Sequence, residues 1–384
     1  MRLSLLEKRE DVLTVLVESL NQFFSEYFPN AEVNASIKPN DGITFYGNKY
    51  LNFFASESVI PDAFTVIINE YAQTKVWWRS VLQYVYVHFA IKSFFFKWHH
   101  HYKFYIKAPS ESEISSWLFM GGNTRVRILN HDNNETIIIL KEGYDISFIS
   151  NEIEFRRSIE HFLVPTIHDI GKRFIVESLH PGVPINRLKY SAIKKYRLKA
   201  FSVFLRDIVF PRREYSKEYY DSLVGDVIRL LKIYIKQGPR TNLHIDFLEG
   251  ACNIEDSAMI ISTSHGDFQD ANIILAEEGL KIIDWEAVDR RSITYDFITL
   301  FAQTRVSFPS VDQLQDLIEG QLFNSFFGEY EVQNNRETYL IVFLLEELLY
   351  QLRYSLLTSR GIQEENLKID KLLSYLNGGF QRVA

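Results

Sequence analysis

The chain has 384 residues, 46% of them hydrophobic, which is enough apolar side chain for two or three compact units. Its formal net charge of −7 argues against a general nucleic-acid binder, although local basic patches remain compatible with it. One cysteine, Cys252, excludes an intramolecular disulfide framework and suits a reducing cytoplasm; with no convincing base beside it, it reads as a packed thiol and not as a nucleophile. Met1 to Arg9 is too charged for a secretory signal, and no repeat or low-complexity tract stands out.

The opening region, residues 1–110, begins with Val12, Leu13, Val15, Leu16, Leu20, Phe23 and Phe24 at helical spacing. Ile43 to Leu51 reads as a hairpin or paired strands, and Pro61 to Thr74 as a further helix. Residues 76–107 then mix Trp, Tyr and Phe with Arg79, Lys92, Lys97, Lys103 and Lys107. Two readings stay open there: a peripheral membrane surface at headgroup level, or a helix packed on the body of the protein. Arg79, Gln83, His88 and Lys92 interrupt the apolar run too often for a membrane span. His99, His100 and His101 are adjacent, and adjacent residues point in different directions, so they do not predict a metal site.

From Trp117 the pattern changes to short strands. Trp117 to Met120 and Arg125 to Leu129 flank Gly121-Gly122-Asn123-Thr124, a turn whose amides are able to approach phosphate; an ordinary hairpin turn explains the glycines equally well. The strand Glu135 to Leu140 ends on Lys141, and a helix is predicted from Ser150 to His161. Phe174 to Leu179 reads as another strand, followed by Pro181-Gly182.

The chemistry concentrates in His265-Gly266-Asp267-Phe268-Gln269-Asp270-Ala271-Asn272 and in Ile283-Asp284-Trp285-Glu286. Met259 to Ile261 and Ile273 to Leu275 look like buried strands on either side of the first segment, and a turn at Ala276 to Gly279 returns the chain along Leu280 to Ile283. Asp267 is suited to accept a proton from an attacking hydroxyl, while Asn272 and Asp284 supply oxygens to a metal bridging a nucleotide tail. Further on, Tyr295-Asp296-Phe297 opens a helix, Tyr339 to Leu357 carries one apolar surface, and Leu367 to Leu376 reads as a last helix ended by Gly378-Gly379.

His-Gly-Asp, four residues, Asn, then Ile-Asp-Trp-Glu resembles the aminoglycoside phosphotransferase and choline kinase family of small-molecule kinases. That resemblance covers the chain from about residue 111 and implies an α+β, bilobal protein-kinase-like fold. The expected parts are a small antiparallel-sheet N-lobe over 111–180, a mainly helical C-lobe over 181–384, and an N-terminal α/β extension over 1–110. It implies ATP and Mg2+ as cofactors, with ATP over GTP as a family expectation. Asp267 is then the base, His265 braces the loop, and Asn272 and Asp284 are metal ligands. Lys141 meets the inner phosphates and pairs with Glu152 (Glu154 being the other choice), Gly121 and Gly122 lie over the phosphates, and the Glu177 and Leu179 backbone groups line the adenine slot. Asp296 orders the catalytic loop by analogy.

Gly266 replaces the arginine common in regulated protein kinases, Gln269 stands where Ser/Thr kinases present lysine, and the stretch from Asp284 to Asp296 has no room for a long activation segment. The expected acceptor is therefore a small-molecule hydroxyl, most simply a sugar or glycolipid precursor handled in the cytoplasm or at the inner membrane face. An aminoglycoside-type antibiotic is the alternative, for which Glu346-Glu347 and Glu364-Glu365 would supply acidity if they are not simply solvated helix faces. A catalytically silent nucleotide-binding scaffold or a protein kinase are the other readings. The oligomeric state is not legible in the residues.

Overall fold

The computed structural model describes residues 3–8, 10–59, 61–71, 77–91, 97–109, 111–237, 248, 258–330, 332, 335–357 and 363–383. Cys252, Lys92, Phe94 to Phe96 and Val76 lie outside them, as do the side chains of Glu364 and Glu365. The chain forms two compact units, Met1–Arg197 with Asp270–Asp284, and Leu198–Gln269 with Trp285–Ala384.

The first unit is built on a nine-stranded antiparallel sheet. Its strands are β1 (Asn34–Ser36), β2 (Ile43–Asn48), β3 (Phe53–Ala55), β4 (Tyr102–Lys107), β5 (Leu118–Gly121), β6 (Arg125–Asn130), β7 (Glu135–Leu140), β8 (Ile167–Ile170) and β9 (Phe174–Ser178), in the order β1-β4-β2-β3-β5-β6-β7-β9-β8. The expected boundary near residue 110 runs through this sheet. β3 pairs with β5 through Phe54 opposite Phe119, so the opening region and the strands around the glycine turn share one hydrogen-bonded ladder.

Side chains alternate across a pleated strand, and both faces of this sheet are apolar. Phe54, Phe119 and Ile128 meet the helix Val12–Tyr27 through Leu16, Leu20, Phe23 and Phe24, whereas their neighbours Phe53, Leu118 and Leu129 point to the opposite face, toward Phe64, Ile67, Tyr71, Val87 and Ala90. Those last residues belong to a short 3-10 turn Pro61–Phe64 and to helices Thr65–Tyr71 and Trp77–Ile91. Near β7, Ile149 of helix Ser147–Arg157 packs on Leu140 and Ile175. That helix is shorter than expected at its end, because residues 158–161 turn toward Val164-Pro165 instead of continuing it.

A second small sheet in this unit pairs β10 (Gly182–Pro184) with β13 (Ile273–Ala276), and β13 with β14 (Gly279–Ile282). The second unit holds the sheet β11 (Glu214–Ser216), β12 (Met259–Ser264) and β15 (Asp289–Ser292), and is otherwise mainly helical. Its helices include Tyr219–Gln237, Tyr295–Phe301, Val311–Glu319, Arg336–Leu357 and Gln363–Val383. The last one does not stop at Gly378-Gly379, as glycine's helix-breaking tendency suggests, but continues to Val383. The observed class is α+β, with the antiparallel sheet in the N-terminal part and helices dominating the C-terminal part.

Candidate active site

Within the first unit, the β13–β14 hairpin carries Asn272 and Asp284 at its two ends. Ile273 pairs with Ile282, and the Ile283 amide donates to the Asn272 carbonyl at 2.9 Å, which closes the open end of the hairpin. The Ile282 amide donates to the Leu163 carbonyl at 2.7 Å, anchoring the returning strand. Asp284 follows with φ of +69°, a left-handed conformation that an aspartate tolerates better than most residues and that turns the chain sharply out of the strand. Its Oδ1 lies 2.7 Å from the guanidinium of Arg127 on β6. Just before Asn272, Asp270 is clamped by both arms of Arg197.

Within the second unit, the loop after β12 is held from its backbone. Asp296, at the start of helix Tyr295–Phe301, accepts the His265 amide at 2.9 Å and the Gly266 amide at 3.1 Å. Burial pushes the Asp296 carboxyl up, and the interaction with His265 and these amide donors counter that push. The His265 ring is buried against Trp285 (centroids 4.5 Å) and Phe268 (5.6 Å), and its Nδ1 accepts the Asp267 amide at 3.3 Å. These ring contacts are to the loop itself and to Trp285.

Gly266 has φ of +80°, and a Cβ there would lie 2.0 Å from the Ala287 carbonyl oxygen. Replacing Gly266 by Ala is expected to cost about 1–3 kcal/mol from backbone strain alone, with the backbone clash adding to it. Urea unfolding measures this. A midpoint unchanged from the parent would show that the loop relaxes freely.

Asp267 keeps a sixth of its side-chain surface exposed and is oriented from two sides. Gln269 Nε2 donates to Oδ2 at 2.9 Å, and Arg305 Nε donates to Oδ1 at 3.0 Å. Arg305 is the centre of a buried polar cluster: it pairs with Glu347, donates to the Gly266 carbonyl at 2.7 Å and to the Tyr295 hydroxyl at 2.9 Å. Tyr295 in turn donates to Glu347 at 2.8 Å, as does Gln351. Burial opposes charge on Glu347, but Arg305 outweighs it and holds that carboxyl below its ordinary range. The neighbouring Glu346 accepts the Tyr219 hydroxyl at 2.7 Å and the Ser292 hydroxyl at 2.8 Å; burial pushes it up to about 7 against those donors. Glu346 and Glu347 are therefore not solvated helix faces, since both are almost fully buried and each has named donors.

The expected pairing of Lys141 with Glu152 is replaced by other contacts. Glu152 is buried between Arg125 and Arg156 (2.8 Å to the latter), so the Lys141–Glu152 pair is not formed. Lys141 instead pairs with Glu10 from the opening region and donates to the Asn123 carbonyl at 3.2 Å. Arginine wins at Glu152 because its planar fork satisfies a buried carboxylate in more than one direction: Arg125 also reaches the Phe148 carbonyl, and Arg156 also reaches Glu177 at 2.6 Å.

The glycine turn closes a hairpin, with the Gly122 amide donating to the Arg125 carbonyl at 2.8 Å and the Gly121 carbonyl accepting from Asn52 at 2.8 Å. A Cβ on Gly121 would come within 2.6 Å of Leu3, so the residue is small because the opening region packs on it. At the expected adenine slot, Glu177 sits in β9 between β7 and β8, and the Leu179 amide donates to the Asn134 carbonyl at 2.8 Å. The paired-strand reading describes this segment.

Arg127, Arg305 and Glu10 carry no motif in the sequence. Glu346-Glu347 did carry a signal: two carboxylates inside the apolar run Leu340 to Leu349 must be paired if the run is buried.

No family model and no curated protein matches the chain. Among solved structures, it is similar to a choline/ethanolamine kinase family protein from Mesorhizobium loti, at 14% identity and a TM-score of 0.47, over 70% of this chain and 89% of that one. An ADP-bound aminoglycoside phosphotransferase aligns at 14% identity and a TM-score of 0.43, over 68% and 93% of the two chains. An ethanolamine kinase from Plasmodium vivax aligns at 15% identity and a TM-score of 0.42, over 70% and 83%.

Proposed function

We propose that the protein transfers the γ-phosphoryl group of ATP to a hydroxyl of a small molecule. The observation that carries this reading is the fixing of Asp267: its loop hangs from Asp296 through two amides, and its carboxylate is aimed by Arg305 and Gln269 while part of it stays open. A carboxylate so constrained suits accepting a proton from a hydroxyl as the hydroxyl oxygen bonds to phosphorus and the bond to the leaving ADP oxygen breaks. Asn272 and Asp284 offer hard oxygen donors of the kind magnesium takes, one carboxylate and one amide, with the remaining positions left to phosphates and water. When bound there, magnesium would neutralise charge on the phosphate tail.

Arg127 is the cation we place against those phosphates. Its guanidinium lies at Asp284 and keeps about a third of its side-chain surface exposed, whereas Lys141 is buried with Glu10 and would have to break that pair to reach a ligand. Replacing Arg127 by Ala is expected to weaken Mg·ATP binding roughly tenfold, the scale of one charge-assisted contact, and to leave adenosine binding unchanged. Titration calorimetry with both ligands checks it. Loss of adenosine and ATP binding alike would assign Arg127 a purely structural role.

The acceptor class we favour is a sugar or glycolipid precursor in the cytoplasm or at the inner membrane face, supported by the aromatic and basic composition of residues 76–107. An acidic pocket for an aminoglycoside is less well supported, because Glu346 and Glu347 are committed to internal partners. Mass spectrometry of a cell extract incubated with the protein and γ-labelled ATP tests the proposal directly. One labelled metabolite or lipid names the acceptor; saturable Mg·ATP binding with no labelled product would favour the scaffold reading.

A further inference from the structure

Helix Trp77–Ile91 is apolar on two opposite sides and buries only one of them. Val87 and Ala90 point into the sheet core and are fully covered, with Tyr86 and Ile91 packed beside them. On the other side Trp78, Val81, Leu82, Val85 and Phe89 are 47%, 56%, 63%, 60% and 45% exposed. At helical spacing these five residues fall within an arc of roughly 100°, the width of a stripe that ordinarily faces a core. Trp98, 81% exposed, stands in a loop tied to the helix by the His99 ring, 3.5 Å from the Tyr86 hydroxyl.

Charge identifies the occupant. Between Glu70 and Glu111 the chain contains no Asp or Glu but six Lys or Arg, in a protein whose net charge is −7. Arg79 is exposed on the helix itself, its guanidinium 5.1 Å from the Trp78 ring centroid, so cation and indole are presented together. The helix itself carries Trp, aliphatic side chains and Arg79 with no carboxylate, while Lys97 beside Trp98 pairs with Glu57. Such a helix face matches the headgroup boundary of an anionic bilayer: apolar groups enter the acyl edge, indoles sit at headgroup level and the cation meets phosphate. No helix among the described residues is long and apolar enough to cross a membrane, so contact by this face would lie in the interface.

We propose that the exposed face of helix Trp77–Ile91, with Trp98, docks the protein on an anionic lipid surface. This surface belongs to the sheet unit and stands independently of the phosphotransfer reading, while giving that reading a site of action if the acceptor is a lipid-borne hydroxyl.

Sedimentation of the full chain with vesicles of phosphatidylglycerol, and with vesicles of phosphatidylcholine alone, tests the proposal. Wild type is expected to bind the anionic vesicles, with binding falling as salt rises, and to bind the neutral ones far less. Arg79→Glu should weaken binding roughly tenfold. The pair Leu82→Glu and Val85→Glu should abolish it without lowering the melting temperature, because both positions are already exposed. Quenching of tryptophan fluorescence by brominated acyl chains should appear in the wild type and decrease in Trp78→Ala and Trp98→Ala. The proposal is overturned if wild type fails to sediment with phosphatidylglycerol vesicles at low salt. It is likewise overturned if light scattering shows a dimer that Leu82→Glu disperses while vesicle binding is absent, which would assign the face to a second copy of the chain.

Discussion

Asp267→Ala is expected to lower the rate of phosphoryl transfer by about 10²- to 10⁴-fold, the range associated with a positioned general base, while Mg·ATP affinity stays within a few-fold of the parent. The separation follows from where each group sits. Asp267 is held by the second unit's Asp296 and Arg305, whereas the oxygens we propose for the metal, Asn272 and Asp284, belong to the β13–β14 hairpin of the first unit. Removing Asp267 also leaves Arg305 with one carboxylate fewer, but Glu347, the Gly266 carbonyl and the Tyr295 hydroxyl still receive it. The loop should therefore keep its shape. Single-turnover transfer to the identified acceptor, alongside calorimetric ATP binding, is the pair of measurements required. Equal product formation by the variant would remove Asp267 from the chemistry; loss of nucleotide binding together with transfer would mean that the substitution had collapsed the site.

The parts legible in sequence were those set by short-range physics. The strands around the glycine turn, the β13–β14 hairpin and the loop carrying His265, Gly266 and Asp267 all announce themselves through alternation, turn residues and spacing. Asp296 is readable too, as an acidic residue opening a helix that analogy ties to the loop, although its contacts to the His265 and Gly266 amides are visible only in the structure.

What escaped were choices among long-range partners. Lys141 had two nearby glutamates along the chain and took Glu10 from 131 residues upstream, because the opening region joins the same sheet and its first residues pack over the glycine turn. Glu152 had an obvious lysine and took two arginines. Spacing says which face of a helix a carboxylate occupies, but not which of several cations will be desolvated against it. The same limit hid Arg305, whose loop carries no pattern of its own, and it made Glu346-Glu347 look like surface residues until the apolar run around them proved to be buried.

Glu152→Ala is the substitution expected to damage the first unit most. Glu152 is completely buried, and its oxygens face Arg125 and Arg156, both of them also buried. Deleting one member of such a cluster leaves cations without their compensating charge, which typically costs about 3–5 kcal/mol. Arg156 keeps Glu177, and Arg125 keeps the Phe148 carbonyl, so the loss should fall toward the lower end of that range and stop short of complete unfolding. Glu152→Gln retains the shape and one acceptor, and should cost less.

The pH dependence separates charge from packing. Burial alone would raise the Glu152 carboxyl, but Arg125 and then Arg156 outweigh it and hold the folded-state value below the ordinary one. A depressed carboxyl contributes stability that is present above the unfolded-state pKa, about 4.3, and is lost as pH falls through the folded-state value. The gap between wild type and Glu152→Gln should accordingly be widest at neutral pH and close as acid protonates the glutamate. Denaturant titrations at pH 7 and at successive steps below pH 4 read this out. A gap that stays constant with pH would mean that the charge on Glu152 does not contribute to stability, and that the two arginines are neutralised by other groups.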